Sequence, residues 1–156
     1  MSDERNCLFN DDFKNIIKRY NYTVINNNYV CANKVNYMFF ENTIKKIEIE
    51  LQNKKEILNK KLENINDNKA LSNKLILDEI MEDYQKIKVE AKKDVDSDNS
   101  ILQKILEDYI NNFEKNGAFE IYKNISKNIV DNTVKKLIRY EKKLILLMDK
   151  LKIINL

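Results

Sequence analysis

The chain has 156 residues, of which 43% are hydrophobic and 34% are charged, and its formal net charge is +3. It contains no Pro, His or Trp and a single Gly. Tight turns of an all-β fold and Gly-rich phosphate loops are therefore hard to build. The absence of His removes the commonest general base and metal ligand. This composition predicts an all-α fold, an antiparallel helical bundle with long coiled-coil-like first and last helices.

The two cysteines, Cys7 and Cys31, are too few for a disulfide scaffold, and we expect both to be reduced thiols. The N-terminal sequence is polar and has no apolar core of a signal peptide. No apolar run reaches the length of a membrane span. We therefore expect an intracellular protein, cytoplasmic or nuclear. The abundance of Lys, Asn and Ile matches the codon usage of an AT-rich genome.

The N-terminal part of the chain has a less regular pattern than the rest. We expect one helical domain over 1–156, with 1–9 as a disordered end. Residues 10–34 would then hold a short helix and a small β-hairpin. The apolar runs at 22–25 and 29–32 would be its strands, because the three asparagines between them favour a turn.

The remaining residues, 35–156, show a helical period and predict the bundle itself. Apolar side chains recur at alternating steps of three and four, with Lys54 and Lys61 interrupting the first series. Short connections at 67–69 and at 94–99 predict antiparallel neighbours. Helices are expected over about 35–66, 70–95, 100–116 and 118–154.

The single glycine, Gly117, leaves two architectures open. It either ends a helix in a turn or kinks one continuous rod of about 50 residues. Such a rod would extend beyond its shorter neighbours and would need a partner.

The segment at 94–99 resembles the start of an EF-hand calcium loop. Acidic side chains occupy the first, third and fifth positions of such a loop, at Asp94, Asp96 and Asp98. Ile105 stands where that loop needs a bidentate Glu, so the calcium site is only a weak candidate. The alternative is a capping box, in which Ser100 and Gln103 open a helix. We predict no metal and no cofactor.

The last predicted helix carries the longest apolar series. At the end of a chain this series is either core or an assembly surface. We predict a partner interface, bound by another protein or by self-association, at Leu137, Tyr140, Leu144, Leu147, Leu151 and Ile154. The leading hypothesis is thus a non-enzymatic interaction protein, a subunit or adaptor assembling through its long helices.

A second hypothesis starts from charge. Lys135, Arg139 and Lys142 lie on one face of the last helix and would contact the phosphates of a nucleic acid. The second predicted helix carries an acidic group, which is either a carboxylate metal site or, as we favour, a solvated face: Asp78, Glu79, Glu82 and Asp83. The basic helix would alternatively pack beside this acidic helix within the same fold.

The sequence offers no constellation for catalysis. Cys31 has no His to pair with, and no Gly-rich turn presents a serine. We therefore assign no catalytic residue and predict that the protein is not an enzyme.

Overall fold

The computed structural model describes the backbone of residues 2–63 and 68–154 and the side chains of 14–63 and 68–154. Three helices occur there: α1 (Ser2–Leu62), α2 (Asn68–Asn112) and α3 (Ala118–Ile153). The described residues contain no strand. The all-α class and the bundle-like packing of the helices are confirmed. Within the described residues, no helix is long and apolar enough to cross a lipid bilayer.

Helix α1 includes segments that the sequence predicted to be irregular. It begins at Ser2, so the expected loose end at 2–9 is helical, and the predicted hairpin at 22–32 is wrong. Tyr22, Asn26 and Asn33 are buried, and their spacing of four and seven residues is the period of a helix. The polar character of Asn26 and Asn33 conceals this period in the sequence, where only apolar residues indicate a core.

Helix α2 joins two predicted helices into one. The interhelical loop predicted at 94–99 is wrong, because this segment is helical. Asp94 accepts a hydrogen bond from the Tyr140 hydroxyl. Asp98 accepts one from Thr133 Oγ1 at 2.7 Å. These acidic side chains therefore occupy positions of helix packing, not ligand positions of a loop.

A turn connects α2 to α3, so of the two architectures left open at Gly117 the structure has the turn, and 100–154 is not one continuous rod. Its φ of 74° lies in the left-handed region, which glycine adopts without steric cost. Its carbonyl accepts the Ile121 N–H at 3.1 Å and thus starts the hydrogen bonds of α3. The connection predicted at 67–69 is partly helical, since α2 begins at Asn68; Asp67 lies outside the described residues, as does Ile65.

The chain divides into two compact units, each built from parts of all three helices. Unit 1 comprises Met1–Val35 and Val95–Val134. Unit 2 comprises Asn36–Asp94 and Lys135–Leu156. Within a unit, residues earlier in one helix contact residues later in the next helix. Consecutive helices therefore pack antiparallel.

Unit 1 has an aromatic cluster. Tyr22 and Tyr109 are fully buried, with ring centroids 4.2 Å apart. The Tyr22 hydroxyl lies 2.6 Å from Ser126 Oγ, which satisfies both buried groups. The other rings of the cluster are Phe113, Phe119 and Tyr122. Burial of these rings dominates the packing of this unit.

The rest of the unit 1 interior contains buried polar side chains beside the apolar Val95 and Leu102. Asn26 donates from Nδ2 to the Leu102 carbonyl at 2.9 Å. Asn33 donates from Nδ2 to Asn99 Oδ1 at 3.0 Å. A buried amide that forms such bonds fixes the register of the helices, at a cost in stability.

Unit 2 has an apolar interior. Ile47, Leu77 and Leu144 are almost completely buried and represent the three helices in it. Lys54, which interrupts the apolar series of α1, donates to the Ile154 carbonyl at 3.0 Å. An ammonium group at this place satisfies a free carbonyl and complements the helix dipole.

Candidate interaction surface

The apolar series predicted as a partner interface lies inside unit 2. Its six members are buried, with exposed fractions of 9% or less: Leu137, Tyr140, Leu144, Leu147, Leu151 and Ile154. The parts of α1 and α2 in the same unit cover these side chains. The interface assignment of this series is therefore corrected: it is core of the chain itself and is not accessible to a partner.

The predicted phosphate-binding residues are on the surface. Lys135, Arg139 and Lys142 are exposed, and their spacing of four and three residues puts them on one side of α3. None of the three forms an ion pair with any carboxylate in the described part of the chain. These charges are thus available to an external acidic group.

Large apolar side chains are exposed on the same side of α3. Ile138 is 47% exposed, Ile145 49% and Leu146 61%. Ile153, seven residues after Leu146, is 77% exposed. Since residues seven apart lie almost above one another on a helix, these side chains form a stripe. We call the following set the outer face of α3: Lys135, Ile138, Arg139, Lys142, Ile145, Leu146 and Ile153.

A groove between α2 and α3 of unit 2 adjoins the outer face of α3. Its volume is about 330 Å³, and Ile87 and Leu147 provide apolar lining. Leu146 belongs both to the groove and to the outer face, so the apolar surface is continuous between them. Charged side chains also line the groove: Asp83, Lys86, Glu90, Lys143 and Lys150.

Helix α2 presents a second exposed face in unit 2, where three carboxylates outnumber the neighbouring bases Lys74 and Lys86. Leu75 is 72% exposed, and Glu82 pairs with Lys86 at 3.4 Å on this surface. Asp78 and Glu79 form no ion pair with the described residues. We call this set the acidic face of α2: Leu71, Leu75, Asp78, Glu79 and Glu82.

Hydrogen bonds beneath these faces hold α3 and α2 in unit 2. Burial, together with the hydrogen bond to Asp94, raises the pKa of Tyr140 to about 12. Burial likewise raises the pKa of Tyr84, whose hydroxyl bonds to Glu48. That bond, with one from Lys88 at 3.1 Å, lowers the pKa of Glu48. These groups stabilise the unit, and none of them belongs to the outer face of α3.

The weak calcium candidate has a different geometry from the one predicted. Asp94, Asp96 and Asp98 follow one another along a helix, where Asp96 is exposed and the other two accept hydrogen bonds from α3. Among the described residues, no three His, Cys, Asp or Glu side chains are grouped so that they would hold a metal ion. Cys31 is an exposed free thiol on α1.

Comparison with protein-family models, with curated proteins and with solved structures finds no match to this chain. Of the outer face of α3, the sequence predicted only the basic members as a binding surface. Its apolar members Ile138 and Ile145 lie one residue after Leu137 and Leu144 of the core series. The signal that marks them is the repetition of Ile at a seven-residue interval outside that series.

Proposed function

We propose that this chain is a non-enzymatic interaction protein, a subunit or adaptor of a protein assembly that binds its partner through the outer face of α3. One observation carries the proposal: exposed large apolar side chains and basic groups without ion pairs in the described residues lie on one side of α3 in unit 2, where Asp149 is the acidic neighbour. Complete burial of a fully exposed Ile or Leu side chain contributes about 1.5–3 kcal/mol, and the four side chains gain the part of it that corresponds to their remaining exposed surface. Exposed apolar side chains that lie together mark interaction sites.

A helix is the partner structure that this surface fits best. Its apolar members follow a helical repeat, and the groove beside Leu146 continues the apolar surface. An amphipathic helix laid along such a surface inserts its own side chains every three or four residues. We further propose that the packing follows the alternating three-four spacing of coiled coils, as in the core of unit 2.

A nucleic-acid partner is the second candidate. The exposure of Lys135, Arg139 and Lys142 on one side of α3 supports it. Contacts of these basic side chains with phosphates, however, would leave the neighbouring Ile138 and Ile145 exposed to water. If phosphate contacts drive binding, replacing the three basic side chains with Gln would abolish the complex. The affinity of the wild type for nucleic acid would also fall steeply as the salt concentration rises.

The proposed function predicts that the chain belongs to a larger particle in the cells that produce it. The particle mass is measured in gently prepared extract, where one chain alone would contribute 18.6 kDa. The double variant Ile145→Glu, Leu146→Glu places charge in the contact and is expected to release the chain as a single copy.

Ile121→Glu is the matched control, because Ile121 is 56% exposed on α3 but lies in unit 1. It is expected to leave the particle intact. A wild-type chain that migrates as a single copy in extract would refute the proposed function, and so would equal behaviour of the two variants.

A further inference from the structure

We propose that the partner is a second copy of this chain, and that the outer face of α3 of one copy docks on the acidic face of α2 of the other. The inference rests on the proposed function and names its partner. It follows from two exposed faces of unit 2 that have opposite charges and similar apolar content.

The charges of the two faces are complementary, and all the charged members except Glu82 lack an ion-pair partner among the described residues of their own chain. Lys135, Arg139 and Lys142 present three positive groups, whereas Asp78 and Glu79 present two negative ones. Glu82 adds a third, which is shared with Lys86 at 3.4 Å on an exposed surface. Complementary charges of this kind raise the rate of encounter and select the orientation of the partners.

The two charged groups do not meet within one chain. The hydrogen bond from Tyr140 to Asp94 places Arg139 and Lys142 at the level of Asp94. Asp78 lies 16 residues earlier along α2, which corresponds to about 24 Å at 1.5 Å per residue. A second copy, displaced along the helix direction, places the carboxylates of its α2 opposite the basic side chains of α3.

The apolar side chains of the two faces match in the same way. Leu71 and Leu75 are separated by one helical turn, and both are exposed. Ile138, Ile145 and Leu146 offer a complementary stripe on α3. Each of these side chains is partly exposed in the single chain, and docking removes its remaining apolar surface from water.

The contact joins two different faces, so it is heterologous. A copy bound through its outer face of α3 still presents its acidic face of α2 to a further copy. Heterologous contacts either close into rings or grow with concentration. The purified chain is therefore expected to form species larger than a dimer as its concentration rises.

Sedimentation velocity of the purified full chain tests this inference over a range of concentrations and at two salt concentrations. The wild type is expected to associate and to dissociate as salt is raised, because ionic screening weakens surface charge pairs. Arg139→Glu with Lys142→Glu is expected to weaken association by about tenfold or more. Lys127→Glu, an exposed base of α3 in unit 1, is the matched control and is expected to have no effect.

A charge exchange makes the test specific for the two faces. Asp78→Lys with Glu79→Lys is expected to weaken association as the α3 variant does. An equimolar mixture of the two double variants should associate again, because an inverted α3 face then meets an inverted α2 face.

A wild type that remains a single copy at every concentration overturns the inference, as does a mixture that fails to regain association. If the purified chain is single while the extract contains a particle with a different protein, the proposed function stands and self-association is wrong. Cosedimentation with nucleic acid or with anionic vesicles in place of self-association also overturns the inference.

Discussion

Asn33 donates a hydrogen bond to Asn99 Oδ1 at 3.0 Å, while its own Oδ1 is buried and has no hydrogen-bond partner among the described residues. An unsatisfied buried acceptor is costly, by about 1–3 kcal/mol. Asn33→Val removes it and fills the site with apolar volume. We expect the free energy of unfolding to rise by about 1 kcal/mol, measured by urea denaturation. A loss of stability would show that the bond to Asn99 outweighs the unsatisfied atom.

The hydroxyl of Tyr140 gives the second prediction. Tyr140→Phe removes its bond to Asp94, and the free energy of unfolding is expected to fall by about 1.5 kcal/mol at neutral pH. In the folded chain the pKa of Tyr140 is raised from 10.0 to about 12. A raised pKa means that the stabilisation is complete below pH 10 and is lost as the pH rises toward 12. The difference between wild type and Tyr140→Phe should therefore shrink in that window, as followed by circular dichroism.

Gly117 provides a prediction on the backbone alone. A Cβ at this position would have its nearest heavy atom, Ile121 Cδ1, at 4.0 Å, so the site has room for a side chain. The left-handed φ of 74° remains unfavourable for L-residues. Gly117→Ala should thus lower the free energy of unfolding by about 1 kcal/mol, and Gly117→Asn by less. Equal stability of all three proteins would contradict the turn geometry.

Leu144 distinguishes core from interface. Its side chain is fully buried in unit 2, so Leu144→Ala should lower the free energy of unfolding by about 3 kcal/mol in dilute solution. Leu146→Ala is the control, because Leu146 is 61% exposed and should change stability by less than about 0.5 kcal/mol. If Leu144→Ala left the dilute chain as stable as wild type, the apolar series of α3 would not be core.

The pattern of apolar residues was sufficient to predict the helices of unit 2. Its alternating series on α3, including Leu137 and Leu144, is buried where the period placed the core. The period could not show which molecule covers this series. The unit 2 parts of α1 and α2 cover it, and this is a tertiary contact that the period of a single helix does not contain.

Unit 1 was poorly predicted because several of its core positions are polar. Asn26 and Asn33 continue the helical spacing of Tyr22, and Asp98 continues that of α2. Asn and Asp are typical of turns, so their spacing was interpreted as a hairpin and a loop. Tertiary hydrogen bonds to Leu102, Asn99 and Thr133 reverse that preference, and such partners are distant in sequence.

Site-specific photocrosslinking in the cells that produce this protein tests whether its partner binds to the outer face of α3. A photoreactive side chain is placed singly at Ile138, at Ile145 or at the exposed unit 1 position Ile121. We expect protein adducts from positions 138 and 145 and none from position 121. Adducts with the mass of two chains would in addition identify a second copy as the partner. The absence of adducts at 138 and 145, or equal yields at all three positions, would contradict a partner site on the outer face of α3.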